Sequence, residues 1–214
     1  MRRSLSPEIM DDPDVSESMM ETFHRDLKVV NTLLGNMRVL IERMRAQPPA
    51  SVLDIGCGNG ALLHEIRKQF GIAVTGVDLR VPAHNDYQVP IIAADATCDL
   101  LPQADTAVCL LVIHHLSEEQ VIALIRNVGR SCNRFICLDL VRHPLPMVLF
   151  TAFICPFIHR PAALDGRQSI RRAFKPAELR SLIERALAGT NAIFEHWVSP
   201  IHARQIIDIT YRRA

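Results

Sequence analysis

Charge of one sign is scarce in this chain: 24 basic against 23 acidic side chains leave a formal net charge of +1 over 214 residues. Binding to nucleic acid or to an acidic membrane surface draws on clustered Lys and Arg that neutralise phosphates, so the balance argues against either as a general role. A long apolar run is lacking too. The longest, Leu145 to Ile158, has 14 residues with internal prolines, short of the ~18 that read as a bilayer-spanning helix. The opening stretch MRRSLSPEIMDDPDVSES has none of the apolar character a secretory signal needs. Cys57, Cys98, Cys109, Cys132, Cys137 and Cys155 form no CxxC pair, and no histidine stands at zinc-ligand spacing from such a pair. They read as reduced, mostly buried small hydrophobes. The expectation is a soluble, cytoplasmic chain with no membrane span.

What is present suits one globular domain. The apolar fraction is 49% against 22% charged, which excludes an intrinsically disordered chain. At roughly 200 residues a domain buries about 70% of its unfolded surface and needs no disulfide or metal staple. Between Glu21 and Arg45, Phe23, Leu27, Val30, Leu33, Leu34, Met37, Leu40, Ile41 and Met44 recur at helical steps, with Gly35 as an interruption. Two short helices are predicted there, closed by Pro48-Pro49. The division is a helical cap over residues 1–47 and a ligand-binding domain over 48–214.

Beyond residue 50, strand-like and helix-like stretches alternate: SVLDIG, ALLHEIRKQF, AVTGVDL, PIIAADA, TAVCLLVIHH, SEEQVIALIRNVGRS and RFICLDLV. The apolar runs are too continuous for half-exposed strands, so a doubly wound α/β fold around a buried parallel sheet is predicted. KPAELRSLIERALA reads as a further helix, and AIFEHWVS and ARQIIDITY as two last strands. Ser117 before Glu118 and Glu119 is a helix start.

The chemistry begins at Asp54-Ile55-Gly56-Cys57-Gly58-Asn59-Gly60, where a buried strand runs into a glycine-rich turn and then a helix. Gly56, Gly58 and Ala61 also satisfy the G-x-G-x-x-G/A fingerprint of dinucleotide-binding folds, which keeps an NAD-dependent oxidoreductase open. Asp54 weighs against it, because a carboxylate two positions before the first glycine repels a pyrophosphate and suits a ligand with an ammonium group. Asp78 ends the next strand at the spacing of an acid that accepts ribose hydroxyls. Asp95 follows the third, where a carboxylate can accept from an adenine amine.

Together these residues resemble the motifs of the class I S-adenosylmethionine-dependent methyltransferases, over roughly Ser51 to Val141. The resemblance implies S-adenosyl-L-methionine as cofactor, with Asp54, Gly56, Gly58 and Gly60 around its methionine part. It implies Asp78 at the ribose and Asp95 at the adenine, with Cys57, Leu79 and Ala96 as further cofactor-binding residues. Asp105 to Leu116, including Leu111, resembles the fourth motif, beside the reactive methyl. The implied fold is a Rossmann-like seven-stranded sheet ending in an antiparallel hairpin, with an N-terminal helical cap, carrying Arg25, Asn31 and Arg38, over the cofactor. More narrowly, Met10-Asp11-Asp12-Pro13, NTLLGN from Asn31, Asp139-Leu140-Val141-Arg142 and DGRQSIRRAFKPAEL from Asp165 resemble small bacterial methyltransferases encoded beside type III polyketide synthases. That resemblance implies a phenolic or polyketide acceptor.

His115, with His114 as alternate, is the candidate general base, since imidazole titrates near neutral pH and stands where a parallel sheet opens its crevice. The competing reading has the pair cap the next helix and line the pocket. Residues 144–176 are a lid or acceptor-binding insertion; its apolar part reads alternatively as buried helix, and Arg167, Arg171, Arg172 and Lys175 as either an attractor of an acidic acceptor or a solvated basic face. No metal site is expected, because the acids are spread along a groove instead of gathered round one cation. The function expected is methyl transfer to oxygen, ahead of nitrogen or carbon, of a small acceptor by a monomer or homodimer. A non-catalytic cofactor-binding regulator is the rival of another class. After Val112 the chain reads IHHL and lacks the Pro-Pro-aromatic motif of base-amino methylation, so nucleic acid is not an expected partner.

Overall fold

The computed structural model describes residues 1–12, 14–82 and 84–212. Seven strands form one sheet: β1 (Ser51–Ile55), β2 (Ala73–Asp78), β3 (Ile91–Ala93), β4 (Ala104–Leu110), β5 (Cys132–Leu140), β6 (Ile193–Val198) and β7 (Arg204–Thr210), in the order β3-β2-β1-β4-β5-β7-β6. The first five run parallel. β7 enters antiparallel between β5 and β6, so the terminal hairpin lies along the β5 edge with its second strand inside. The sequence reason is burial. Phe135 to Leu138 are all buried on both sides, while β6 at the sheet edge has no fully buried residue.

Helices cover both faces. On one, α4 (Glu118–Ser131) and α7 (Pro176–Leu187) bring Leu124, Ile125, Leu182 and Ile183 onto Phe135 and Ala107. On the other, α2 (Asn36–Ala46) and α3 (Ala61–Phe70) bring Leu40, Met44, Leu63 and Ile66 onto Val52, Val108 and Ile136. Thus α2, assigned to the cap by sequence, is part of the sheet's own helical layer. Ser117 caps α4 by accepting from the Gln120 N–H at 3.2 Å, as its position predicts.

Three expectations are corrected. The first helix, α1 (Glu17–Leu34), is long at 18 residues and ends where Gly35 turns left-handed at φ 63°; the interruption is where the sequence put it. β4 stops at Leu110, well before the histidines, because Leu111 takes φ 60° and a 3-10 turn, Ile113–His115, follows. The apolar stretch after Arg142 is not a buried helix: in α5 (Pro144–Phe153) only Pro146 is buried, and Val148, Phe153 and Phe157 are exposed. α5 packs onto α6 (Arg160–Arg172), where a Cβ on Gly166 would sit 2.3 Å from the Phe150 ring. No helix among the described residues is long and apolar enough to cross a membrane.

Candidate active site

The strand order reverses between β1 and β4, and at such a switch point an open α/β sheet leaves a crevice beyond its carboxyl ends. A cavity of about 450 Å³ occupies it, roofed by α1, α6 and the N-terminal segment. Asp54, Asp78 and Asp95 all border it, as do Gly56, Cys57, Gly58, Leu79, Ala96, Leu111, His114 and His115. The residues singled out in the sequence thus border one cavity, with one exception. Gly60 does not line the cavity; it is the left-handed residue before α3, at φ 80°, and a Cβ there would meet Val89 Cγ2 at 2.4 Å. Its constraint comes from backbone turn and packing.

On the cavity wall the glycine turn is tied to β2. The Gly56 N–H donates to the Val77 carbonyl at 2.7 Å, and the Gly58 N–H donates to Asp78 Oδ2 at 2.8 Å. The Arg80 N–H donates to the other oxygen, Oδ1, at 3.1 Å. Asp54 is buried, and burial first, then the charge of Asp78, pushes its carboxyl well above the usual range, with no hydrogen bond to offset them. Two carboxylates facing one cavity in reduced dielectric favour a cationic occupant. Asp95 is exposed to the cavity and takes two bonds from Thr97 on Oδ1, from its N–H at 2.8 Å and its hydroxyl at 2.6 Å, which lower its pKa. It both caps a local turn and lines the cavity.

The histidines line the same cavity. His114 is buried, and its Nδ1–H donates to Asp139 Oδ1 at 2.7 Å. His115 Nδ1 lies 3.0 Å from Asp11 Oδ1. Burial works to raise Asp11, but His115, the Glu8 N–H and Arg172 outweigh it and hold this carboxyl far below its usual range. Glu8 is buried and pushed up to about 7, chiefly by that burial.

The N-terminal segment is the part that sequence reasoning did not place. Its 3-10 turn, Ile9–Asp11, is pinned to α6 because Asp165 accepts from the Ile9 and Met10 N–H groups at 2.8 and 3.0 Å. Arg172 is buried, and its guanidinium donates to the His115 carbonyl at 2.8 Å and to Asp11 Oδ2 at 2.7 Å. It is therefore neither a solvated base nor a free attractor of anions; it clamps the histidine turn to the strap. The stretches quoted from Met10 to Asp12, at Asp139 and from Asp165 carried the available signal, since they meet here; Pro13 lies outside the described residues. Arg142, from the second stretch, pairs instead with Glu178 of α7. Asn31 lines the cavity and accepts from Asn36 at 3.0 Å, whereas Arg25 and Arg38 bond to Thr22 and Glu42 on their own helices.

A family model described as a methyltransferase domain matches residues 32–180. Among curated proteins, cephaeline 6'-O-methyltransferase CiOMT of Carapichea ipecacuanha is 26% identical over 125 residues, 56% of this chain and 34% of that protein. The chain thus spans about a third of that relative's length. Among solved structures, the plantazolicin methyltransferase BpumL in complex with a monoazolic desmethylPZN analog and SAH superposes with a TM-score of 0.72 at 16% identity, over 95% of this chain and 92% of that one. Human N-acetylserotonin methyltransferase in complex with SAM gives a TM-score of 0.68 at 18% identity, over 98% of this chain and 63% of that one. These likenesses establish the fold.

Proposed function

We propose, from the premise that the chain belongs to the class I S-adenosylmethionine-dependent methyltransferases, that it transfers a methyl group to the oxygen of a small apolar acceptor, phenolic or polyketide in character. The nicotinamide reading of the glycine turn falls with that membership. The observation that carries the proposal is one cavity lined by the three strand-end acids and by the two histidines.

The residues fit the cofactor. Asp54, buried and without a hydrogen-bond donor, faces the cavity where the cofactor's ammonium would relieve its desolvation. Asp78 is already aligned by two backbone N–H groups and keeps lone pairs for a ribose diol, and Asp95 keeps Oδ2 for the adenine amine. S-adenosylmethionine supplies a methyl on a sulfonium, an electrophile that an anionic oxygen attacks unaided. The chain's own part is to align the acceptor, exclude water and help its hydroxyl lose a proton. His115, with His114 beside it, acts at that proton. Leu116, Phe150, Ile158 and Ile170, which line the same cavity, suit an apolar acceptor, and the Carapichea ipecacuanha relative, an O-methyltransferase by name, supports oxygen as the atom. The six cysteines, none of them in a disulfide, support a cytoplasmic setting.

Titration calorimetry with S-adenosylhomocysteine tests the cofactor site. Asp78→Ala should bind at least tenfold more weakly than the unaltered chain, since a hydrogen bond to a charged acceptor is worth about 1.5–3 kcal/mol. Equal affinity would refute the ribose role.

A further inference from the structure

At the histidine pair three side-chain atoms converge. A carboxylate can only accept, so the Nδ1–H of His114 donates to Asp139 and that of His115 to Asp11. The Nε2 atoms are the ring positions that these bonds leave open. They point at Glu8 Oε1, which lies 3.7 Å from His114 Nε2 and 4.0 Å from His115 Nε2. The Glu8 side chain is 1% exposed, and its Oε1 has no hydrogen-bond partner. Lone pairs held face to face in a buried place repel unless a cation or a proton sits among them.

We propose that Glu8, His114 and His115 bind one divalent first-row transition-metal cation, which holds the acceptor's oxygen. The three donor atoms lie within 4.8 Å of one another. Ligands about 2.1 Å from one ion stand at most about 4.2 Å apart, so each Glu8–histidine distance taken singly lies within that span, and the three side chains draw together on binding. Two imidazoles and one carboxylate favour Zn²⁺, Mn²⁺, Co²⁺ or Fe²⁺ over Mg²⁺ or Ca²⁺, which prefer all-oxygen sites. Asp139 and Asp11 on the far ring nitrogens are the carboxylate–histidine partners that orient and strengthen such ligands. Three protein ligands leave open positions towards the cavity, where an acceptor hydroxyl fits. There the O–H bond breaks, the proton leaves to solvent and the oxygen keeps its electron pair, now directed at the cation; no redox change is involved.

This deepens the methyl-transfer reading and rests on it, because it turns the histidine at the acceptor from a base into a ligand. The sequence expectation of no metal looked for gathered acids; here the third ligand comes from the N-terminal segment, more than a hundred residues before the histidines.

The test uses the untagged full chain, stripped with chelator and titrated by calorimetry with ZnCl₂ and MnCl₂, with Co²⁺ absorption as a spectroscopic readout. One ion per chain should bind, with ligand-field bands of an imidazole-containing site. Glu8→Gln and His115→Ala should abolish binding, and Asp139→Asn should weaken it about tenfold to a hundredfold. Methylation of a phenol panel should fall at least tenfold in the stripped enzyme and return with metal. No stoichiometric ion, or the same affinity in Glu8→Gln, overturns the site; so does full activity after stripping, which would return the proton to His115. S-adenosylhomocysteine binding, measured on the same samples, keeps the readings apart: its retention shows the variants folded, and its absence from the unaltered chain would refute the cofactor reading while the metal titration still stands by itself.

Discussion

Asp54 is the residue on which the cofactor site turns. Its folded-state pKa is raised by burial and by Asp78, so the free protein holds a proton there at pH values where an exposed aspartate has none. An ammonium ligand needs the carboxylate. Binding must therefore release that proton, and S-adenosylhomocysteine affinity should rise with pH until Asp54 is ionised in the free protein. Calorimetry at a series of pH values in buffers of different ionisation enthalpy reads the proton directly, and Asp54→Asn should remove both the release and the slope. A pH-independent affinity with no proton release would refute the pairing. Leu111 marks the same region: a leucine at φ 60° costs about 1–3 kcal/mol and persists where the surroundings over-determine it.

At the scale of elements, the N-terminal segment and α6 behave as one unit. Ser4 donates to the Arg171 carbonyl, Asp165 receives the Ile9 and Met10 N–H groups, and Arg172 reaches Asp11 and the histidine turn. Arg3 adds two arms, to the Arg172 and Leu116 carbonyls at 2.7 Å each. Asp165→Ala removes a charged acceptor from two backbone donors, each such bond being worth about 1.5–3 kcal/mol. Residues 1–12 should then be cut faster by protease while the sheet core keeps its protection; unchanged cleavage would mean that the arginines alone hold the strap. None of this was readable from periodicity. The segment has a 3-10 turn of only three residues, too short for a hydrophobic period, and what holds it are hydrogen bonds across some 150 residues of chain.

For the whole molecule, the cofactor should act as a thermodynamic clamp, because the cavity joins α1, the strand ends and α6. Ligand at about 100 times its dissociation constant stabilises by about 2.7 kcal/mol, which for a chain of this size raises Tm by roughly 5–10 °C. S-adenosylhomocysteine should give that shift in a melting curve and NAD none; the reverse would undo the family's cofactor here. The sequence by itself determined the α/β class, the positions of most strands and helices, the turn at Gly35 and the three acids, because short buried strands, turn glycines and strand-end carboxylates are local patterns with local causes. Only the tertiary structure decided where β4 ends, that Arg172 is buried, that Gly60 packs on Val89 instead of lining the cavity, and that Glu8 and Asp11 face His114 and His115. Those depend on which distant segments meet at the sheet's open end, and contact between remote residues leaves no period in the chain from which it could be read.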